Sequence, residues 1–356
     1  AEIIRIDRPG GYPSPDPTLD FEALGKFAFY NRNRRTVRIN LKAGQGRATA
    51  LRLIANADAL IEGFRPGVME KLGLGPAPCL VANQRLVYAR LTGWGQTGPL
   101  APTAGHDLNY IALSGALGLF NPDPATHGAI PPLVGDMGGG GLYMAFGLLA
   151  GIIAARSSGR GSVIDAAIVD GSAGLYATIK SLHKAGAWPH PAGANIIDGG
   201  RYFYRVYSCA DGQLVAVGAI EPAFRKVLLT ILGLIDDPEF AADDPAREDA
   251  RRQKVATIFS TNPRDEWAAI FAATDGCVTP VLSMEEAEAH PHATARGAFT
   301  AVDGVVQPAP GPRFGDVSAD IRITPQMASR SDPQALAAWG FPGDEIAALQ
   351  AADIVS

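Results

Sequence analysis

The sequence predicts an α/β protein: a large domain built on a parallel sheet, followed by a smaller α+β domain. Two observations predict it. In the first half, short apolar strands alternate with helix-length amphipathic segments, as in a parallel sheet with helices on its faces. Near residue 200 the texture changes to two strands joined by a tight turn, then helices and a further short strand. A third observation bears on function. The glycine-rich turn Thr92–Pro99 precedes Gly105-His106-Asp107, which sets an imidazole beside a carboxylate where a helix begins.

Taken in order, Ala1 to Pro9 reads as a strand, with Ile3, Ile4 and Ile6 apolar and Pro9-Gly10-Gly11 as its end. Residues 11 to 35 read as loop with one short helix. Their basic cluster, Asn31-Arg32-Asn33-Arg34-Arg35, is either a solvated loop or a contact for a polyanionic ligand. Thr36 to Leu41 alternates like a strand. Gly46 to Ala57 reads as a helix with Ala50, Leu51, Leu53 and Ile54 inward. Ala59–Phe64 and Leu86–Leu91 are further strands, and no GxGxxG follows the first strand. After Gly105, the residues Leu108, Ile111 and Ala112 recur at helical spacing and Ser114-Gly115 supplies a stop. Gly138 to Gly141 permits close approach of another backbone but costs roughly 1 kcal/mol per glycine inside a helix. The run is therefore expected at the close-packed start of the apolar helix Gly141–Ala155, itself expected to be buried. Val163 to Ala167 starts another strand-and-helix unit.

In the second half, Tyr202–Ser208 and Leu214–Gly218 read as strands around the turn Ala210-Asp211-Gly212. Glu221-Pro222 opens a helix with Pro in its first position. Residues 236 to 253 read as charged loop, and Asn262-Pro263 opens another helix. Val278–Leu282 is a short strand, Ser283–Glu286 a capping box, and 305 to 330 irregular. The expected division is 1–185 for the large domain, 186–204 linker, 205–295 for the small domain, 296–330 linker, and 331–356 as C-terminal helices returning to the large domain.

The composition, 47% hydrophobic and 19% charged over 356 residues, is that of a soluble globular protein, and a net charge of −5 argues against a nucleic-acid partner. Cys79, Cys209 and Cys277 share no paired spacing, which points to a reducing compartment and no disulfide framework. No HExxH is present and no metal is expected. The longest apolar run is shorter than the ~20 residues of a membrane span. No secretory signal opens the chain and the tail is not Ser-Lys-Leu. The expected location is cytoplasmic.

Several groups can do chemistry. A helix N-terminus keeps an imidazole neutral and usable as a base, and it can receive an oxyanion; His106 sits at such a place. Asp107 is either the helix cap or a nucleophile towards an acyl group. Asp136 is either a turn-former or a carboxylate brought into a pocket by the glycine run. Glu221 either answers the helix dipole or supports a catalytic group. Arg8, Lys42 and Arg65 lie at predicted strand ends, where ligands of open α/β sheets sit, and each is otherwise a surface charge.

The motifs Ile6-Asp7-Arg8-Pro9, Asn33-Arg34-Arg35, Asn40-Leu41-Lys42, Glu62–Val68, Leu72-Gly73-Leu74-Gly75, Arg90–Pro99, Gly105-His106-Asp107, Val134-Gly135-Asp136 and Val217–Pro222 together resemble the family III CoA-transferase superfamily, along nearly the whole chain. Within it, His106 directly before Asp107 resembles the bacterial α-methylacyl-CoA racemases. The resemblance implies a large Rossmann-like domain and a small α+β domain in an interlocked homodimer, with no metal or redox cofactor. The substrate would be an acyl-CoA thioester, so coenzyme A enters as part of it. It implies a 1,1-proton transfer between His106 and Asp136 on opposite faces of the substrate's α-carbon, through an enolate held by backbone N–H near Asp107. Glu221 would fix the histidine tautomer, across the dimer interface. Arg8, Lys42, Arg65, Lys71 and Tyr110 would contact coenzyme A, with Lys71 standing where the family mostly has Arg. Family members also carry a β–α unit ahead of the position matching Ala1. CoA transfer with Asp107 as nucleophile, and acyl-CoA binding without catalysis, are the alternatives.

Overall fold

The structure, a computed structural model, describes residues 1–11, 23–120, 129–242, 244–315 and 319–356. The chain forms β1 (Ile4–Asp7), β2 (Arg35–Arg38), α1 (Gly44–Ala55), β3 (Ala59–Glu62), α2 (Val68–Lys71), α3 (Pro76–Ala82), β4 (Val87–Thr92) and α4 (Asp107–Ser114). A π-helical segment, Leu133–Leu142, leads into α5 (Tyr143–Ser158), followed by β5 (Ser162–Ala167), α6 (Ile168–Leu175) and α7 (Ala177–Lys184). Next come β6 (Tyr204–Ser208), β7 (Leu214–Gly218), α8 (Pro222–Ile231), α9 (Glu248–Phe259), α10 (Arg264–Phe271) and β8 (Val278–Pro280). The fold is thus mixed α/β with parallel sheets, as expected. The chain divides into two compact units, one of Ala1–Thr103, Tyr143–Ala166 and Met284–Ser356, the other of Ala104–Leu142 and Ala167–Ser283.

In the first unit β1 pairs with β2 in parallel, Ile4 opposite Arg35, and β3 pairs with β4 in parallel, Glu62 opposite Arg90. β5 lies beside β4. The single sheet expected from the strand pattern is two short ones. The reason lies at the far edge of β2 and just beyond it. Thr36 bridges Ser331, Ile39 bridges Val355 antiparallel, and Arg38 exchanges backbone hydrogen bonds with Ser356, so the C-terminal tail takes that edge. Val37, Ile39 and Leu53 bury against Leu336, Phe341 and Ile346 of the same tail. A second cluster puts Ala50 and Ile54, two of the residues expected to face inward, on Met69, Leu74 and Tyr88.

Three residues of the cluster after residue 30 are engaged within the chain. Arg32 donates to Gln307 and to the Pro308 carbonyl, the Asn33 side chain binds backbone at Asp320, Arg322 and Ile323, and Arg35 pairs with Asp332. Gln307 belongs to a hairpin, Phe299–Val302 with Val305–Pro308, whose second strand lies inside the stretch expected to be irregular. Residues 12–22 of the loop expected after β1 lie outside the described ones.

In the second unit β6, β7 and β8 form an antiparallel sheet, with Gly212 at φ +77° in the expected turn. Its inner face packs Phe203, Tyr207 and Val215 on Leu228, Phe259, Trp267 and Phe271. Part of the stretch expected to be charged loop is helix instead. Arg251 in α9 is 1% exposed, and its charge is matched by Glu248 at 3.1 Å and the Glu239 carbonyl at 2.7 Å. A buried guanidinium survives because its donors are filled.

The same unit holds a backbone-to-backbone helix crossing. A Cβ on Gly171 of α6 would stand 1.9 Å from the Gly139 carbonyl oxygen, and a Cβ on Gly139 would stand 2.5 Å from the Ser172 nitrogen. Close approach was expected of the glycine run; its place inside a helix rather than ahead of one was not. The wide turn of the π segment tolerates the glycines because α6 fills the space their missing side chains leave.

α5 corrects a second expectation. It was read as buried, yet Phe146, Leu149 and Ile153 are 74%, 61% and 70% exposed. Together with the π segment the helical stretch is 26 residues long with mean hydropathy 1.6, long and apolar enough to cross a membrane. The apolar run read from sequence was therefore too short a measure of it.

Two stability outcomes follow. Gly171→Ala drives a methyl into backbone that cannot rotate away, and urea unfolding should show a loss of about 1–3 kcal/mol. Arg90 is 7% exposed, with its Nε 2.8 Å from Glu62 and its Nη1 2.8 Å from Glu70. Arg90→Leu leaves the Glu62 carboxylate buried and unpaired and should cost about 3–5 kcal/mol in the same assay.

Candidate active site

α4 begins at Asp107 because His106 turns extended, φ −134° and ψ 173°, and it ends at Gly115 in the left-handed region. The His106 N–H donates to Asn109 Oδ1 at 3.1 Å, so the helix's own first turn holds the residue that carries the imidazole. The imidazole itself is exposed.

Asp107 is the first helical residue, not the cap; that position belongs to His106. Its side chain is occupied elsewhere. Asp107 is 7% exposed, and Oδ1 accepts the Asp136 N–H at 2.6 Å. Gly135 makes this contact possible, since a Cβ there would stand 2.3 Å from Oδ1 and 2.9 Å from Ile111 Cγ2. The Asp107 N–H, at the first position of the helix, has no acceptor among the described residues, as intrahelical geometry dictates.

Asp136 lies half-buried in the first turn of the π segment, not in a turn ahead of a helix. Burial pushes its carboxyl above the ordinary carboxylate range; the Asp107 charge adds to the rise and His106 opposes it. His106, Asp107 and Asp136 are therefore brought together, two residues on α4 and one on the segment beside it.

Tyr110 is buried, and its hydroxyl donates to the Gly105 carbonyl, closing the turn that leads into His106. Glu221 caps α8 ahead of Pro222, as read from sequence, and is exposed. Its carboxylate makes no hydrogen bond to His106 within the chain; its charge instead adds to the rise of the Cys277 thiol, which is pushed up by burial, then by Glu221 and Asp275.

The four cations are in the first unit. Arg8 follows β1 and donates to the Gly11 carbonyl, Lys42 lies just beyond β2, Arg65 just beyond β3, and Lys71 ends α2. All are exposed, and Arg8, Lys42 and Arg65 follow the carboxyl ends of their strands. Between them the Glu62–Val68 motif is shaped by one carboxylate: Glu62 accepts the Phe64 N–H and the Arg90 guanidinium, both at 2.8 Å. Glu62 and Arg90 had no role assigned from sequence, and only the β3–β4 register, which sets them opposite each other, exposes the pairing. In the Thr92–Pro99 turn, Gly95 N–H reaches Thr92 Oγ1 at 3.0 Å and Gln96 N–H reaches Asp165 at 2.9 Å. Gly135 and Asn109 were also missed as site-builders. The signal for Gly135 was its place directly before Asp136. Among the described residues no group of three or more His, Cys, Asp or Glu could hold a metal ion.

The model of CoA-transferase family III matches residues 1–335. The chain is 39% identical to the alpha-methylacyl-CoA racemase of Mus musculus and 38% identical to that of Homo sapiens; each match covers 100% of this chain and 90% of the relative. A CAIB/BAIF family protein from Brucella suis has a similar fold, with a TM-score of 0.74 at 24% identity over 99% of this chain and 91% of that one. With a family match over nearly its whole length and relatives this similar from end to end, the chain belongs to CoA-transferase family III.

Proposed function

We propose that the chain is an α-methylacyl-CoA racemase that interconverts (R)- and (S)-2-methylacyl-CoA thioesters by 1,1-proton transfer. The observation that carries this reading is the state of the three site residues. The Asp107 carboxylate is buried and bound to the Asp136 N–H, which leaves His106 and the half-buried Asp136 as the pair with acid/base capacity. Two groups of different type suit a reaction that needs a base on one face of the α-carbon and an acid on the other. One removes the α-proton, the planar enolate forms, and the other protonates the opposite face. The free Asp107 N–H and the positive end of α4 stabilise the enolate oxygen. Whole-length similarity to two proteins named as alpha-methylacyl-CoA racemases supports the same reading.

Coenzyme A of the substrate would be held by Arg8, Lys42, Arg65 and Lys71, with Lys71 offering a point charge in place of a bidentate fork. Tyr110 supports the site through its turn. The large and small domains would assemble as an interlocked homodimer. The apolar face of α5, exposed in the single chain, is the kind of surface an assembly covers. In that dimer Glu221 of one subunit would meet His106 of the other and fix its tautomer. A cytoplasmic location fits three cysteines that are all free. CoA transfer through an acyl-Asp107 anhydride would first require the carboxylate to leave its buried hydrogen bond.

His106→Ala and Asp136→Ala should each abolish exchange of the α-proton of 2-methylacyl-CoA esters with deuterated water, read by mass spectrometry. Undiminished exchange in both variants sinks the assignment, and hydroxylamine trapping of acyl-Asp107 would favour transfer instead. The pH dependence has a definite sign. In the direction where Asp136 is the base, activity should fall as pH drops through a value above the ordinary carboxylate one. The raised value also means that the folded state binds the proton more readily than the unfolded one, so this stability is lost as pH rises through the folded value. Asp136→Asn should therefore melt higher than the parent at neutral pH while losing exchange. That gain should vanish below the unfolded value, about 3.9.

A further inference from the structure

Asp107 is the least available of the three acidic and basic groups at the site, and its surroundings suit one task. Its Oδ1 lies 2.6 Å from the Asp136 nitrogen, it is 7% exposed, and its slot is bounded by Gly135 and Ile111. A Cβ at position 135 would overlap both Oδ1 and Cγ, at 2.3 and 2.9 Å. The Asp136 N–H belongs to the first turn of the π segment, where backbone donors have few partners of their own. A carboxylate from a neighbouring helix supplies the acceptor, as a charge-assisted hydrogen bond. The same residue is covalently next to His106, whose N–H is fixed by Asn109.

We propose that Asp107 is a positioning residue for Asp136: its side chain ties the backbone of one acid/base group to the residue that follows the other, through a slot that only glycine at position 135 leaves open. The inference rests on the racemase reading of His106 and Asp136. It assigns the side chain of Asp107 a task separate from that of its N–H. Reaction on opposite faces of one carbon demands that the two groups keep their spacing, and an error of about 1 Å can cost on the order of 10²-fold in rate. One rigid link between them meets that demand.

The link also puts a second negative charge beside the Asp136 carboxyl. The titratable groups facing it from α4 are Asp107 and His106; α6, also packed on the segment, carries one charged residue, Asp170, which is exposed. The Asp107 charge therefore raises the pH at which Asp136 becomes a base.

The test compares the full-length parent with Asp107→Asn and Asp107→Ala. One readout is independent of activity: hydrogen–deuterium exchange of the Asp136 amide, resolved by electron-transfer fragmentation. The second is α-proton exchange of 2-methylacyl-CoA followed against pH. Asn keeps an oxygen that can accept the N–H. It should retain amide protection and most of kcat, with the acid limb moved to lower pH. Ala should lose the protection and drop kcat about 10²-fold with KM unchanged, because the substrate-binding groups and the residue-107 N–H remain. Unchanged protection of the Asp136 amide in Asp107→Ala overturns the proposal. So does an Asn variant as inactive as Ala with an unmoved acid limb. A parent that exchanges no α-proton sinks the racemase reading instead, and the amide measurement still decides the positioning role.

Discussion

Between Gly139 and Gly171 two helical segments touch with no side chain between them, and much of the site depends on that contact. It fixes the π segment against α6. The π segment carries Asp136 in its first turn, and Gly135 opens the slot through which Asp107 reaches back. A larger residue at position 139 or 171 would push the segment off α6. Helix propensity is given up along this run, roughly 1 kcal/mol per glycine. What the run yields is a segment packed too closely to drift, which the proposed role of Asp136 on one face of a substrate requires.

The electrostatics of the site follow from the same packing. A carboxylate placed half in protein, with another carboxylate beside it, holds its proton to higher pH than a solvated one. Among the described residues no buried cation on Asp136 relieves that cost. Buried cations are used elsewhere, Arg90 on Glu62, Arg251 on Glu248 and Arg264 on Asp265, where they stabilise architecture. Arg8, Lys42 and Arg65 at the strand ends, by contrast, keep exposed side chains.

Much of the site was legible because it is local in sequence. His106 at the helix start, Gly115 at its end, Pro222 after the Glu221 cap and the turn at Gly212 are each written within a few residues, so propensity and capping chemistry suffice to find them. The glycine run announced a close approach for the same reason. Local patterns fail where a partner is distant. Arg32, Asn33 and Arg35 read as either solvated loop or anion contact because their partners, Gln307, Asp332 and the backbone near residue 322, are almost three hundred positions away. The two short sheets looked like one because the segment that takes the edge of β2 is the last of the chain.

By itself, then, the sequence determined the alternation of strands and helices, the place of His106 at an N-terminus, and the family motifs along the chain. Each depends on residues close together, whose backbone preferences act before any tertiary contact forms. Only the tertiary structure decided what Asp107 does. Read locally it was a cap with a spare carboxylate; in the fold the cap is His106, and the carboxylate is spent on the Asp136 N–H twenty-nine residues on. No spacing rule could have said so, because the hydrogen bond exists only where α4 and the π segment meet and where position 135 has no side chain to prevent it.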